Sequence, residues 1–212
     1  MIMPLLLAIA APSAIPPAKQ TPIDAERAFA ADAQANGQWT AFRAWSAPDA
    51  LMFTPQPVKA RDFLAGRENP LVAVYWWPGA SFISCDGNTA VNTGPWVREW
   101  GKSVGYFTTV WQRQSDRSWK WVYDGGDQLK QARGQGGDIE PRRATCPNMP
   151  VSVPPRIDSP ANARRGSGAS RDRTLNWQWS VGPDGSRTFT ATTWDGARHV
   201  TVVEDHVDAP SK

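Results

Sequence analysis

The chain is poor in the residues that most often announce a chemistry. Among 212 residues there are two histidines, two cysteines and three tyrosines. Both histidines, His199 and His206, fall near the end, so everything before them lacks an imidazole for proton transfer or metal binding. No Cys-x-x-Cys is present, so a zinc site is not expected, and no other cofactor is implied. Ser-His-Asp and Cys-His catalysis are unsupported, because neither nucleophile has a base nearby in the sequence. The glycines of Gly134-Gln135-Gly136-Gly137 lack the preceding strand and following helix that a phosphate loop requires. Charge of one sign is scarce too. Twenty-three Lys and Arg against 20 Asp and Glu leave a net +3, scattered along the chain. No stripe exists to neutralise a row of phosphates, so nucleic acid is excluded as an expected partner. The apolar run over residues 1–11 is well short of the roughly 18 residues that a spanning helix needs, so no membrane span is expected.

That run reads instead as part of a secretory signal peptide over residues 1–18. Ala8 to Ala10 form an early Ala-x-Ala site, and Ala14 or Ala18 are alternatives. A periplasmic or secreted protein follows. Cys85 and Cys146 suit such a compartment, since an even count is compatible with a disulfide. The bond would close a loop of about 60 residues, worth roughly 4 kcal/mol in the chain-entropy model; two buried free thiols are the other reading. Twelve tryptophans stand out at this length. Ordering so many indoles requires a core to fill or a surface that grips something.

Along the chain, Thr21-Pro22-Ile23-Asp24 supplies an N-cap, a proline at the first helical position and an acid for the free amides. The helix it starts stops at Asn36-Gly37, with Ile23, Glu26, Ala30 and Ala33 on one face and Phe29 at its margin. A second short helix over 38–46 places Trp39, Phe42 and Ser46 together, and a helical turn is read over 59–65. Strands are read over 50–54, 71–77, 81–85, 89–97, 104–114 and 119–124. Alternation puts Trp119, Trp121 and Tyr123 on one face of the last of these, Asp124 on the other, and Gly125-Gly126 at its end. Residues 127–173 are rich in Gly, Pro and Arg and read as a surface linker. Residues 174–207 read as a three-stranded β-meander with turns at Pro183-Asp184-Gly185 and Asp195-Gly196. Three strands are near the limit of independent stability, so Trp177, Trp179, Phe189 and Trp194 are expected to dock on the main domain. The class is α+β.

Three stretches resemble a known family: Ala25-Glu26-Arg27-Ala28-Phe29-Ala30, Gly37-Gln38-Trp39-Thr40-Ala41-Phe42, and Pro48-Asp49-Ala50-Leu51-Met52-Phe53. Together with Gly105-Tyr106-Phe107-Thr108-Thr109-Val110-Trp111 and Ser118-Trp119-Lys120-Trp121-Val122, they resemble the SnoaL-like branch of the nuclear transport factor 2-like superfamily over residues 21–126. The resemblance implies a cone: a strongly bent antiparallel sheet wrapped around the N-terminal helices, open at one end to an apolar cavity. Members include isomerases, dehydratases, cyclases and non-enzymes, so the fold does not fix the chemistry.

With no histidine in this region, carboxylates and tyrosines are the remaining proton carriers. Asp124, an acid among Trp and Tyr, is the first candidate base, and a solvated strand-end acid is the alternative. Glu26, on the inward helix face, is the second, with a salt bridge to Arg43 or Arg61 as its alternative role. Phe42, Trp77, Trp96, Tyr106, Trp111 and Trp121 are the candidate cavity lining for a small apolar or aromatic molecule, against ordinary core packing. The leading expectation is an exported small-molecule-binding protein without assigned catalysis. A proton-transfer isomerase or dehydratase is the first alternative, and a carbohydrate-binding module using Trp177, Trp179 and Trp194 is the second. Homodimerisation is left open.

Overall fold

The computed structural model describes residues 19–134, 137–154 and 159–210; the signal segment expected over 1–18 lies outside the described residues. Helix α1 (Pro22–Asn36) begins with a capping box, in which the Thr21 hydroxyl accepts from the Asp24 amide and the Asp24 carboxylate accepts from the Thr21 amide. It ends at Gly37, whose φ of 96° is a left-handed value open to glycine. Helix α2 (Gln38–Trp45) follows at once and runs into β1 (Ser46–Phe53), then β2 (Pro57–Lys59) and a short α3 (Ala60–Leu64). The sheet continues with β3 (Tyr75–Trp76), β4 (Ala80–Ile83), β5 (Thr89–Arg98), β6 (Ser103–Arg113), β7 (Trp119–Leu129) and β8 (Arg142–Arg143).

These eight strands form one large curved sheet in the order β2-β1-β7-β6-β5-β4-β8, with β3 paired to β5. Helices are few, and the α+β architecture is consistent with the expected cone. The sheet is not wholly antiparallel: β1 runs parallel to β7, and β8 parallel to β4. Of the strand expected over 71–77, the structure forms β3 alone. Instead of pairing, Val74 is tied to the helices: its amide donates to the Gln38 side chain and its carbonyl accepts from Gln34.

Strand β7 departs most usefully from the simple alternation. Opposite Val110 and Trp111 of β6 stand Tyr123 and Trp121, so Val122 is an extra residue in the ladder. A bulge of this kind reverses the facing of everything beyond it. Trp119 and Trp121 therefore join the helix-side core, while Tyr123 joins the core on the opposite face. Nor do Gly125 and Gly126 end the strand, which continues to Leu129. They are places of close approach: a Cβ on Gly126 would lie 2.1 Å from the Tyr106 carbonyl oxygen.

The second sheet, in the order β12-β11-β10-β9, consists of β9 (Arg164–Ala169), β10 (Leu175–Val181), β11 (Arg187–Trp194) and β12 (His199–Val207). It has four strands rather than the expected three, because part of the Gly-rich stretch read as linker pairs with β10. Sequence Arg164-Arg165-Gly166-Ser167-Gly168-Ala169 shows no apolar alternation. Its glycines face large rings instead, and Cβ atoms on Gly166 and Gly168 would collide with the indoles of Trp179 and Trp177. This sheet stands beside the large one and buries Leu175, Trp177, Trp179 and Phe189 against its Phe82, Val91, Val110 and Tyr123. Trp177 and Trp179 are thus largely buried between the sheets, beside a hollow of about 410 Å³. The bond between Cys85, just after β4, and Cys146 ties the segment after β8 to the large sheet.

Candidate functional site

On the inner face of the large sheet, α1 and α2 pack over Trp76, Ala90, Trp111, Trp119 and Trp121, with Phe29 at the centre. Its ring lies 4.8 Å from Phe42, 4.9 Å from Trp76 and 5.9 Å from Trp111, mostly in tilted or edge-on arrangements that suit aromatic quadrupoles. The helices do not cover the whole face. Beyond Phe42 a hollow of about 390 Å³ remains, lined by Phe42, Met52, Phe53, Trp76, Trp96, Tyr106 and Phe107 among others. Its polar lining includes Gln38, Arg98, Asp124, Asp127 and Arg187. Arg187 belongs to the second sheet and reaches over the end of the first, donating to the Gly126 carbonyl at 3.4 Å.

The Val122 bulge turns Asp124 into this hollow. Its neighbours across the sheet are Met52 on β1 and Thr109 on β6, and the Thr109 hydroxyl donates to its carboxyl at 3.3 Å. No ion pair to Asp124 occurs among the described residues. Desolvation by the surrounding protein pushes its pKa up to about 8. The nearby Glu26 carboxyl raises it further, while the Thr109 bond opposes the rise.

Glu26 is fully buried and makes no salt bridge to Arg43 or Arg61. The Arg43 guanidinium donates instead to the carbonyls of Leu64 and Arg67. Glu26 accepts from the Trp76 indole at 2.9 Å, the Trp111 indole at 2.7 Å and the Asn92 amide at 3.2 Å. Burial lifts its pKa to about 7, and those three donors hold it below where burial alone would set it. Three donors favour a charged Glu26, whereas Asp124 has one weak donor and an acid beside it. Asp124 is therefore the carboxyl that keeps its proton at neutral pH, free to donate it to an acceptor in the hollow.

Of the residues singled out in the sequence, Phe42, Trp96, Tyr106 and Asp124 come together around the hollow. Trp111 and Trp121 lie in the packed core beneath it, Trp111 as a donor to Glu26. Trp77 sits outside, its ring 5.6 Å from Tyr75. Trp96 is placed by its cross-strand partner Gly105, where any Cβ would strike the indole, and its ring carries the Arg98 guanidinium at 4.9 Å. Sequence reasoning missed Trp76, Met52 and Arg187. Trp76 sits beside Trp77 in a segment without clear periodicity, and Arg187 approaches from a sheet that has no sequence relation to the hollow. Among the described residues no group of His, Cys, Asp and Glu could hold a metal ion, and no helix is long and apolar enough to cross a membrane.

No protein-family model matches the chain, nor does any curated protein. Solved structures resemble part of it. A "putative ketosteroid isomerase" from Parabacteroides distasonis superposes with a TM-score of 0.42 at 18% identity, over 52% of this chain and 90% of its own. A protein of unknown function from Pectobacterium atrosepticum gives 0.38 at 13% identity, over 49% and 87%. The S. rosetta CaMKII hub gives 0.37 at 19% identity, over 52% and 98%.

Proposed function

We propose that the protein is an exported receptor for a small, largely apolar or aromatic molecule bearing a carbonyl or similar hydrogen-bond acceptor. The observation that carries this is Asp124, a carboxyl with no ion pair among the described residues, facing a hollow walled on one side by Phe42, Met52, Trp76, Trp96 and Phe107. An apolar pocket with few polar groups orients its ligand through those groups. A neutral carboxylic acid there offers one strong donor to a carbonyl. The signal-like segment over 1–18 and the Cys85–Cys146 bond, a feature suited to oxidising compartments, support the exported part of the reading. Tryptophan fluorescence titrated with bicyclic ketones and their hydrocarbon counterparts is the test. Ketones are expected to bind at micromolar concentrations and more tightly than the hydrocarbons. Absence of any binding below millimolar concentration would remove the receptor reading.

The same carboxyl favours a second reading, in which bound ketones exchange the proton next to their carbonyl. A group titrating near neutrality within reach of a substrate is suited to proton transfer. Exchange of that proton for deuterium, followed by NMR, should then be slowed by roughly 100-fold or more in Asp124→Asn. Exchange that survives within a few-fold leaves Asp124 as an anchor only.

A further inference from the structure

The hollow does not stop at its rim. A groove of about 770 Å³ adjoins it, lined by parts of α1 and α2, the segment 70–75 and the β5–β6 connection. The two spaces share the side chains of Gln38, Trp39, Val74 and Arg98. Large apolar side chains stand open to solvent along this groove: Val72 is 70% exposed, Tyr75 55% and Trp100 99%, and Leu71 beside Val72 is fully exposed. They account for four of the seven large hydrophobic residues exposed among the described residues. Single exposed apolar residues need no explanation, but a cluster on one groove marks a surface that binds something.

Two features of the chain hold that cluster outward. Segment 71–74 is tied to the helices by the Gln34 and Gln38 bonds to Val74, with Ala73 and Val74 half-buried against the core and Leu71 and Val72 left exposed. Trp100 occupies a left-handed conformation, φ 60°, directly after Glu99 at φ 49°. For a bulky residue this backbone is unfavourable.

We infer that the groove is the outer half of the same binding site, and that the ligand is an amphiphile. Its polar acceptor meets Asp124, while its apolar chain passes Gln38 and Trp39 and lies along Val72, Tyr75 and Trp100. This inference rests on the hollow being a binding site. Its occupant is one extended molecule rather than a protein partner, because the groove opens from the hollow itself and shares Gln38, Trp39, Val74 and Arg98 with its lining.

Straight-chain methyl ketones of about six to about fourteen carbons, titrated calorimetrically, test it. Each added methylene that leaves water should tighten binding roughly three- to fourfold. The gain should continue for chains too long for the hollow. In the triple variant Leu71→Ser, Val72→Ser, Trp100→Ser, the gain should stop early while the shortest ketones bind within twofold of the parent protein. All three positions are exposed, so the variant should fold, and an unchanged circular dichroism spectrum confirms it. If the gain stops early in the parent protein as well, or continues undiminished in the variant, the groove is not part of the site, though the receptor reading stands. If no ketone binds at any length, the reading of the hollow itself fails. Sedimentation showing a dimer that the triple variant abolishes, with no dependence of binding on chain length, would make the groove an interface between copies and overturn the inference.

Discussion

The two faces of the large sheet carry unequal aromatic payloads, seven tryptophans in or against the inner core and two in the outer, and treat their buried acids differently. On the outer face the second sheet packs Phe189 4.5 Å from Tyr123 and Trp179 edge-on to Phe53, and leaves a hollow of about 410 Å³ beside Trp177 and Trp179. The buried acid there, Asp205, is ion-paired to Arg133 at 2.6 Å and accepts from the Thr108 hydroxyl. On the inner face the helices leave a hollow, and its acid, Asp124, has neither cation nor strong donor. A hollow walled by aromatic rings does not by itself make a binding site. What separates the faces is whether the buried charge has been neutralised by the protein.

The comparison breaks most visibly in stability. Trp177→Ala, buried between the sheets, should cost about 3–5 kcal/mol in denaturant unfolding, as for other large core truncations. Trp96→Ala, at the half-open hollow, should cost about 1 kcal/mol, because solvent already reaches that ring. Equal losses would mean that the inner face is packed as tightly as the outer.

The acids should differ in how they respond to pH. An unfolded Asp titrates near 4, whereas folded Asp124 titrates at about 8 and folded Glu26 at about 7. Between these values the unfolded chain has released protons that the folded protein keeps. The contribution of these two acids to stability therefore falls as pH rises from about 4 to about 8. Asp124→Asn removes the larger share of that loss, so the variant should exceed the parent protein by about 3 kcal/mol at pH ~9 and fall less steeply. Parallel stability–pH curves for the two proteins would count against a protonated Asp124.

On the outer face the expected change is smaller and opposite in sign. Arg133→Ala strands the Asp205 carboxyl, which burial already pushes up, and should destabilise by about 2 kcal/mol, since Arg133 is itself partly exposed. The smallest effects concern ligand. Trp96→Ala should weaken ketone binding about tenfold, and Trp77→Ala, outside the hollow, should leave it within about twofold.

Much of this arrangement was legible in the sequence. The Thr21–Asp24 cap, the Gly37 stop and the aromatic strands follow from local rules, and the structure forms each. Pairing of the two cysteines fitted their even count and is present. What could not be read was anything set by the ladder rather than the residue. The Val122 bulge leaves no mark in Trp119-Lys120-Trp121-Val122-Tyr123-Asp124, which reads as clean alternation, yet it moves Tyr123 to one core and Asp124 to the other. Strand β9 was hidden for a related reason: its glycines are required by the indoles they cover on β10, not by their own neighbours in sequence.

The central claim is that Asp124 is a neutral acid at the wall of a hollow that takes a carbonyl-bearing ligand. The most direct test is the carboxyl ¹³C resonance of Asp124, assigned against Asp124→Asn and followed through a pH titration with and without a saturating ketone. The account predicts a midpoint near 8 in the free protein, rising when the ketone accepts the proton's hydrogen bond. A midpoint in the ordinary carboxylate range that no ketone moves would contradict it.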